Sequence, residues 1–415
     1  MTSSLSRIGS ANTYDNAVRN ISMRQSALSN LQENLTSGKR VVRASDDPTS
    51  AANAERALNR ISRIATDQRA LEAQRNAIAM AESTLGDVTN SLQRFRELVV
   101  SAGNGVHSNA ERKSIAIELQ GLRDQIFASA NQKDTNGLPL FSALGSALAP
   151  FVGPQATPPD YTFNGLPGQA ASSDVAIPFT LDGDAAFMHQ PARDGVYNTS
   201  VSTIPSGRTL TTDGVTVTNA SAVTGASYLI AITNVDTTTP GTTVVSYDVT
   251  TTPPGSTAAQ VAPGYPSAQS ASIAVAGMAG LALTFNGTPA VGDTLTVAPS
   301  PSIFSVLDNA IKDIKEAPNN NGATQAVGQA LHNIDIGMSR ISAVRGQAGD
   351  LLNRADRITG NQESRNIQLE ADRSRAEDLD MVKGISDFNN QQTGYSAALQ
   401  TYAKVQQLSL FNFIG

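Results

Sequence analysis

The sequence predicts a mainly α protein with an inserted β-rich domain: a long antiparallel coiled-coil or helical bundle built from both chain ends and interrupted in the middle. Three observations carry this. Ile64, Leu71, Ile78, Leu85, Leu92 and Val99 recur every seven residues without a break, and Ala81, Val88 and Phe95 supply a second seam three residues on. Apolar residues at that period form a left-handed coiled-coil stripe. The C-terminal half answers with Ile334, Ile341, Ala348 and Ala355, beside Leu331, Met338, Arg345 and Leu352. Between them, residues 141–300 hold no Lys, no Glu and two Arg, against nine Asp and 15 of the 19 prolines. A solvated helix face needs long charged side chains, and this stretch lacks them.

The elements follow in chain order. Tyr14, Ile21, Leu28 and Leu35 are spaced by seven, with Ala17 and Leu31 between and Arg24 interrupting the seam. Asp46-Asp47-Pro48 then offers an Asp N-cap with Pro at the first helical position, and Gly103-Asn104-Gly105 offers a stop. The helix between is about 80 Å long at about 1.5 Å per residue. A shorter helix carrying Ile115, Leu119, Leu122 and Ile126 completes a bundle with the 325–358 helix. In the insert, 209–218 reads as a hairpin about Asp213-Gly214. Tyr228–Val235, Thr243–Val249, Leu281–Phe285 and Thr294–Val297 read as strands, and Asn286-Gly287 as a second turn. At the far end Met381, Ile385, Phe388, Gln392, Tyr395, Leu399 and Tyr402 alternate by four and three. The chain closes on Val405, Leu408, Leu410, Phe411, Phe413 and Ile414. So apolar a terminus marks an association site rather than a fraying end. The two terminal strips can pair with each other and still leave an outer face to bury. The expected domains are 1–45 plus 375–415 (terminal helices), 46–140 plus 300–374 (bundle) and 141–299 (β-rich). The heptad stripe of 64–99 and 331–352 is expected to be the core of the bundle.

Composition narrows the function. The 415 residues include no Cys, which excludes disulfides, thiolate metal sites and cysteine nucleophiles. The three His lie far apart at 107, 189 and 332, and Trp is absent. A net charge of −6 disfavours a nucleic-acid or anionic-membrane binder. The start lacks the apolar core of a secretory signal, and no window is apolar enough to span a membrane. Asp46-Asp47 could suggest paired catalytic carboxylates, but adjacent cap residues do not face one another and no partner is spaced for chemistry. Lys39, Arg40 and Arg43 form a small basic cluster, either a solvated turn or an intersubunit salt contact. His107 reads as solvent-facing and His332 as a surface neighbour of the stripe. Ser374–Asp378 is mixed-charge helix with no role assigned.

Leu35-Thr36-Ser37-Gly38-Lys39-Arg40-Val41, followed by Ala44-Ser45-Asp46-Asp47-Pro48, resembles the N-terminal signature of the bacterial flagellin superfamily. Ala397-Ala398-Leu399-Gln400, Lys404-Val405 and the run to Ile414 are similar to that family's end. The Lys39-Arg40-Val41 and Asp47-Pro48 form looks most like the branch that joins hook to filament, since flagellin itself tends to Asp-Asp-Ala at the second point. The resemblance covers both helical ends and not the insert. It implies a non-enzymatic structural subunit of the flagellum, with its terminal helices lining an inner tube, the bundle as wall and the insert outermost. Implied partners are hook-associated protein 1 on the hook side, flagellin on the filament side, neighbouring copies and an export chaperone. Nucleic acid, membrane, cofactor and metal are not implied. The implied place is extracellular, reached through the flagellar type III channel without a cleaved signal. Bulk filament flagellin is the alternative.

Overall fold

The computed structural model describes residues 10–157, 159–206 and 208–414, with side chains described between Asp15 and Lys404. Eight α-helices occur among them: α1 (Ser10–Ser37), α2 (Pro48–Ala102), α3 (Asn109–Ala130), α4 (Gly183–Phe187), α5 (Pro191–Asp194), α6 (Ile303–Glu316), α7 (Asn320–Glu377) and α8 (Met381–Ile414). The strands are β1 (Phe151–Val152), β2 (Thr162–Phe163), β3 (Tyr197–Ser202), β4 (Leu210–Thr212), β5 (Thr216–Val217), β6 (Ser227–Asp236), β7 (Thr242–Thr252), β8 (Ser256–Val261), β9 (Tyr265–Pro266), β10 (Ala271–Ala274), β11 (Leu281–Ala282), β12 (Thr284–Gly287) and β13 (Thr294–Pro299). The chain divides into two compact units, 1–69 with 359–415, and 70–358.

Within residues 70–358, α2 and α7 run antiparallel. The ion pairs Arg75–Asp356 (3.2 Å), Glu82–Arg345 (2.6 Å) and Arg96–Asp335 (2.9 Å) step up one helix as they step down the other. These are solvated rungs worth little in stability; the stripe between them carries the packing. Leu71, Ile78, Leu85, Leu92 and Val99 are buried, as are Ala81, Val88 and Phe95. Ile334, Ile341, Ala348 and Ala355 face them, with Leu331, Met338 and Leu352 partly buried at the margin. Arg345 lies on the companion seam and reaches out to Glu82, over the surface of Gly86. Ser108 caps α3 in a reciprocal box with Glu111, and α3 packs on α6 through Leu119 and Ile126.

The expected boundary at 140/141 is displaced. Leu140, Phe141, Phe151, Tyr161, Ile177, Leu181 and Phe187 are buried in the same core as the helices. Phe304 of α6 stands at their centre. Its ring centroid lies 5.2 Å from Phe127, 5.6 Å from Phe151, 5.3 Å from Tyr161 and 5.7 Å from Phe187. Residues 141–196 therefore belong with the bundle, and the β core begins at Tyr197. Aromatic burial outweighs the missing helical charge pattern here.

The β module has one sheet of order β3-β13-β6-β7-β8, with β9 also on β7, and a second of order β10-β12-β4. Tyr197, Tyr228, Ile230, Tyr247, Phe285 and Val297 fill the space between. The expected 209–218 hairpin does not form: β4 pairs with β12 and β5 with β11. Gly214 serves a different need. A Cβ there would lie 2.7 Å from the His332 ring, whose Nε2 is 3.1 Å from Val215 O. Nor is Asn286-Gly287 a turn; Gly287 ends β12, where a Cβ would strike Thr209 O. His332 is thus a docking residue. It belongs to a polar ladder on α7: Gln325 accepts from Thr212 N (2.8 Å), Gln329 donates to Tyr197 O (2.8 Å) and Asn333 donates to the same carbonyl (2.9 Å).

His189 lies between α4 and α5, 6% exposed, with no hydrogen-bond partner of ordinary geometry at either ring nitrogen. Burial holds its pKa down to about 4; Arg193 and Arg340 push the same way and Asp194 opposes them. The unfolded chain, at 6.5, therefore binds more protons than the folded chain between about 6.5 and about 4, and stability falls as pH drops through that window. Burial raises Asp313 to about 6, which works in the opposite sense: the folded chain takes up the proton first and gains stability on acidification. The two act in opposite senses in the parent. We expect His189→Gln to unmask the difference, with its stability relative to the parent rising by ~2–3 kcal/mol from about pH 7 to about pH 4 in urea melts. Parallel pH profiles for the two proteins would refute this.

Candidate assembly interface

Within residues 1–69 and 359–415, two links meet in a short antiparallel clasp. α1 ends on Gly38, whose φ of +72° is the left-handed C-cap conformation glycine adopts without strain. Gly38 O then accepts from Leu379 N (2.9 Å), while Arg40 N and Val41 N both donate to Glu377 O (2.7 and 3.3 Å). Val41 is buried at 6% exposure. Lys39 pairs with Glu377 at 3.3 Å. The Arg40 guanidinium donates to Ala376 O (2.8 Å), Ser50 Oγ (3.2 Å) and Asp47 (3.3 Å). Arg43 donates to both oxygens of Glu33. The basic cluster is solvated, as a turn would be, and each cation has an acidic partner on its own chain. Ser374–Asp378, assigned no role from sequence, is the clasp's other half. No periodicity marked it, because most of its contacts are made by its backbone.

Asp46 and Asp47 divide their work. Asp46 Oδ2 accepts from Val42 N (3.2 Å) and Arg43 N (2.8 Å), closing the turn of the link. Asp47 Oδ1 accepts from Ser50 N (3.1 Å), capping α2 just before Pro48. The hydroxyl and amide of Ser50, with Arg40 behind them, hold the Asp47 carboxyl down to about 2.

Beyond the clasp, α1 packs along α8. Ile21, Leu28, Leu31 and Leu35 are half-buried on α1; Phe388, Tyr395 and Tyr402 are half-buried on α8. The α8 seam runs Gly384, Phe388, Gln391, Tyr395, Ala398, Tyr402. Met381, Ile385 and Leu399 fall off it, exposed at 46%, 49% and 40%, and Val382 beside them at 82%. Arg24, which interrupts the α1 seam, is accommodated by a glycine: a Cβ on Gly394 would lie 2.6 Å from its Nη1. Gly384 likewise admits Leu35 and Leu379. Among the described residues of these two helices only Gly384, which has no side chain, is buried. Ile64, the first residue of the α2 stripe, is half-buried. Tyr14, Val405, Leu408, Leu410, Phe411, Phe413 and Ile414 lie outside the residues whose side chains are described.

A two-helix seam with no closed interior gains too little burial to offset the ordering of some 60 residues. It becomes favourable when further helices cover the exposed apolar residues. Among the described residues no three acidic or histidine side chains converge as metal ligands, and no helix is long and apolar enough to cross a membrane.

The comparisons agree with this arrangement. The bacterial flagellin N-terminal helical region matches residues 8–145 and the C-terminal helical region matches 331–414, together more than half of the chain. The flagellar hook-associated protein 3 of Salmonella typhimurium is 36% identical over 148 residues, covering 35% of this chain and 46% of that protein. The match thus spans under half the length of that relative. The crystal structure of flagellar hook-associated protein 3 from Legionella pneumophila superposes with a TM-score of 0.58 at 25% identity, covering 76% of this chain and 97% of the other. A Legionella pneumophila structure described as the flagellar junction protein gives 0.56 at 26% identity, covering 73% and 98%. The interrupted helical architecture, the clasp motif and both terminal matches place this chain in the bacterial flagellin family.

Proposed function

We propose that this chain is a structural, non-catalytic subunit that joins hook to filament. It would assemble through α1 and α8, which order fully on incorporation. The carrying observation is the α1–α8 seam: Ile21, Leu28, Leu31, Leu35, Phe388, Tyr395 and Tyr402 meet without closing, and Leu399 and Ile385 stay exposed. The similarity to hook-associated protein 3 supports the junction over the bulk filament. On this reading the terminal helices take the inner layer, the α2–α3–α6–α7 bundle the wall and the β module the exterior. Hook-associated protein 1, flagellin and neighbouring copies are the partners, an export chaperone precedes them, and the site of action is outside the cell. The clasp of Gly38, Lys39, Arg40 and Val41 with 376–379 fixes how the two terminal helices leave α2 and α7.

The test is complementation of cells lacking this chain, with immunogold electron microscopy against the β module. The parent should label one band between hook and filament and restore swimming. Leu31→Asp should fold normally in its bundle and β module by circular dichroism, yet lose incorporation by at least tenfold. A Leu31→Asp variant that still builds filaments would overturn the terminal-helix mechanism. Label along the whole filament would make the chain a flagellin.

A further inference from the structure

The stem of the β module meets the helices around a small polar cavity. Its volume is about 10 Å³, and its polar lining comes from Asn198 of β3, Ser300 just after β13, Asn309 and Asp313 of α6, and Gln329 and Asn333 of α7. Ser300 and Asn333 are each 3% exposed. The Asn333 amide is oriented by its donation to Tyr197 O, and that bond leaves Oδ1 with no protein partner. The Ser300 hydroxyl has none either. Gln329 supplies neither: its Nε2 donates to Tyr197 O and its Oε1 accepts from Thr199 Oγ1 at 2.6 Å.

The Asn198 amide already bonds the Asp313 carboxylate. Asn333 Oδ1 can only accept, the carboxylate has further acceptor capacity, and Ser300 can donate one hydrogen. A buried carbonyl and a buried hydroxyl left unpaired would each be costly. A cavity of one probe sphere with two to four polar partners is what a single buried water requires. We propose that this cavity is a one-water binding site, in which the water donates to Asn333 Oδ1 and the Asp313 carboxylate and accepts from the Ser300 hydroxyl. One molecule then ties β13's exit to α6 and α7, adding a fixed polar joint to the Gln325–Asn333 ladder. A small hard cation held by the same oxygens is the alternative occupant, and the experiment separates the two.

The sign of one substitution decides. If a water bridges the site, Ser300→Ala strands it and should lower the melting temperature of the full chain by about 1–3 °C, followed by the tyrosine near-ultraviolet signal. If the hydroxyl is simply unpaired, its removal leaves the melting temperature unchanged or raises it, and the proposal fails. Melting in sodium, potassium or calcium chloride against choline chloride at equal ionic strength gives the cation arm. Cation-specific stabilisation that Ser300→Ala abolishes would replace water by an ion and overturn the assignment. Crystal diffraction from the parent gives a second readout independent of the variant's folding. Density within hydrogen-bond distance of Asn333 Oδ1 and Ser300 Oγ is expected, and its absence would also overturn the site.

Discussion

Replacing Leu85 by Asp should unfold the helical bundle. Leu85 is 0% exposed and lies mid-way along the α2 stripe, with Ile78, Val88 and Leu92 around it in the same core. Truncating a buried Leu costs about 2–5 kcal/mol for lost transfer and cavity. An unpaired carboxylate in that position adds a desolvation penalty of several kcal/mol more. The sum rivals the whole stability of an ordinary domain, about 5–15 kcal/mol. The measurement is a thermal or urea melt followed at 222 nm, with Leu85→Met as the volume-conserving control, expected to lose under ~1.5 kcal/mol. Comparable melts for Leu85→Asp and the parent would show that this stripe is no core at all.

Phe304→Ala should be the second most damaging single change, at about 3–5 kcal/mol. Its ring is 0% exposed and touches four aromatic neighbours, edge-on to Phe127 and Phe151, tilted to Tyr161 and stacked on Phe187. Each such pair adds about 0.5–1.5 kcal/mol beyond area burial. The neighbours come from α3, from α4, from β1 and from the loop that leads to β2, so no single element can move to fill the void. The Tyr161 hydroxyl is also anchored, donating to Asp308 at 2.5 Å, while Arg123 donates to the same carboxylate at 2.6 Å. We expect near-native helix content with a urea midpoint sharply reduced and the tyrosine near-ultraviolet signal weakened. A loss below ~1 kcal/mol would mean that this cluster packs loosely enough to rearrange.

The long helices were legible because each carries its own punctuation. Asp47-Pro48 opens α2 and Gly103 follows its end, and the seven-residue series between needs no tertiary information. The 141–196 stretch was not legible by that route. Its apolar residues follow no period, and its proline and missing charge give it the look of the β module beyond. A different signal was present: five of the twelve Phe fall between 141 and 187, a density that belongs to a core. Asp213-Gly214 misled for a related reason. Glycine is required there by the approach of His332, a residue more than a hundred positions away, not by the turn the dipeptide imitates. At the assembly interface the motif residues 38–48 stood out from sequence, whereas their partners at 374–378 did not. Backbone carbonyls accept hydrogen bonds whatever side chain they carry, so Ala376 O and Glu377 O leave no mark in composition.

The pairing of β3 with β13 has a consequence for how such a chain can change. Tyr197 sits opposite Pro299 in that ladder, so the chain enters and leaves the module side by side, about 5 Å apart. Everything between those two residues hangs from a single doorway. A cassette grafted there can lengthen, shrink or be exchanged at little entropic penalty, since closing a longer loop adds only about 0.6 kcal/mol per doubling. Asn333 holds Tyr197 O at the doorway itself, whereas Gln325, Gln329 and His332 meet Thr212 N, Thr199 Oγ1 and Val215 O inside the cassette. Those three side chains are the socket, and a replacement that ignores it would leave them without partners or facing water across an ill-fitting joint.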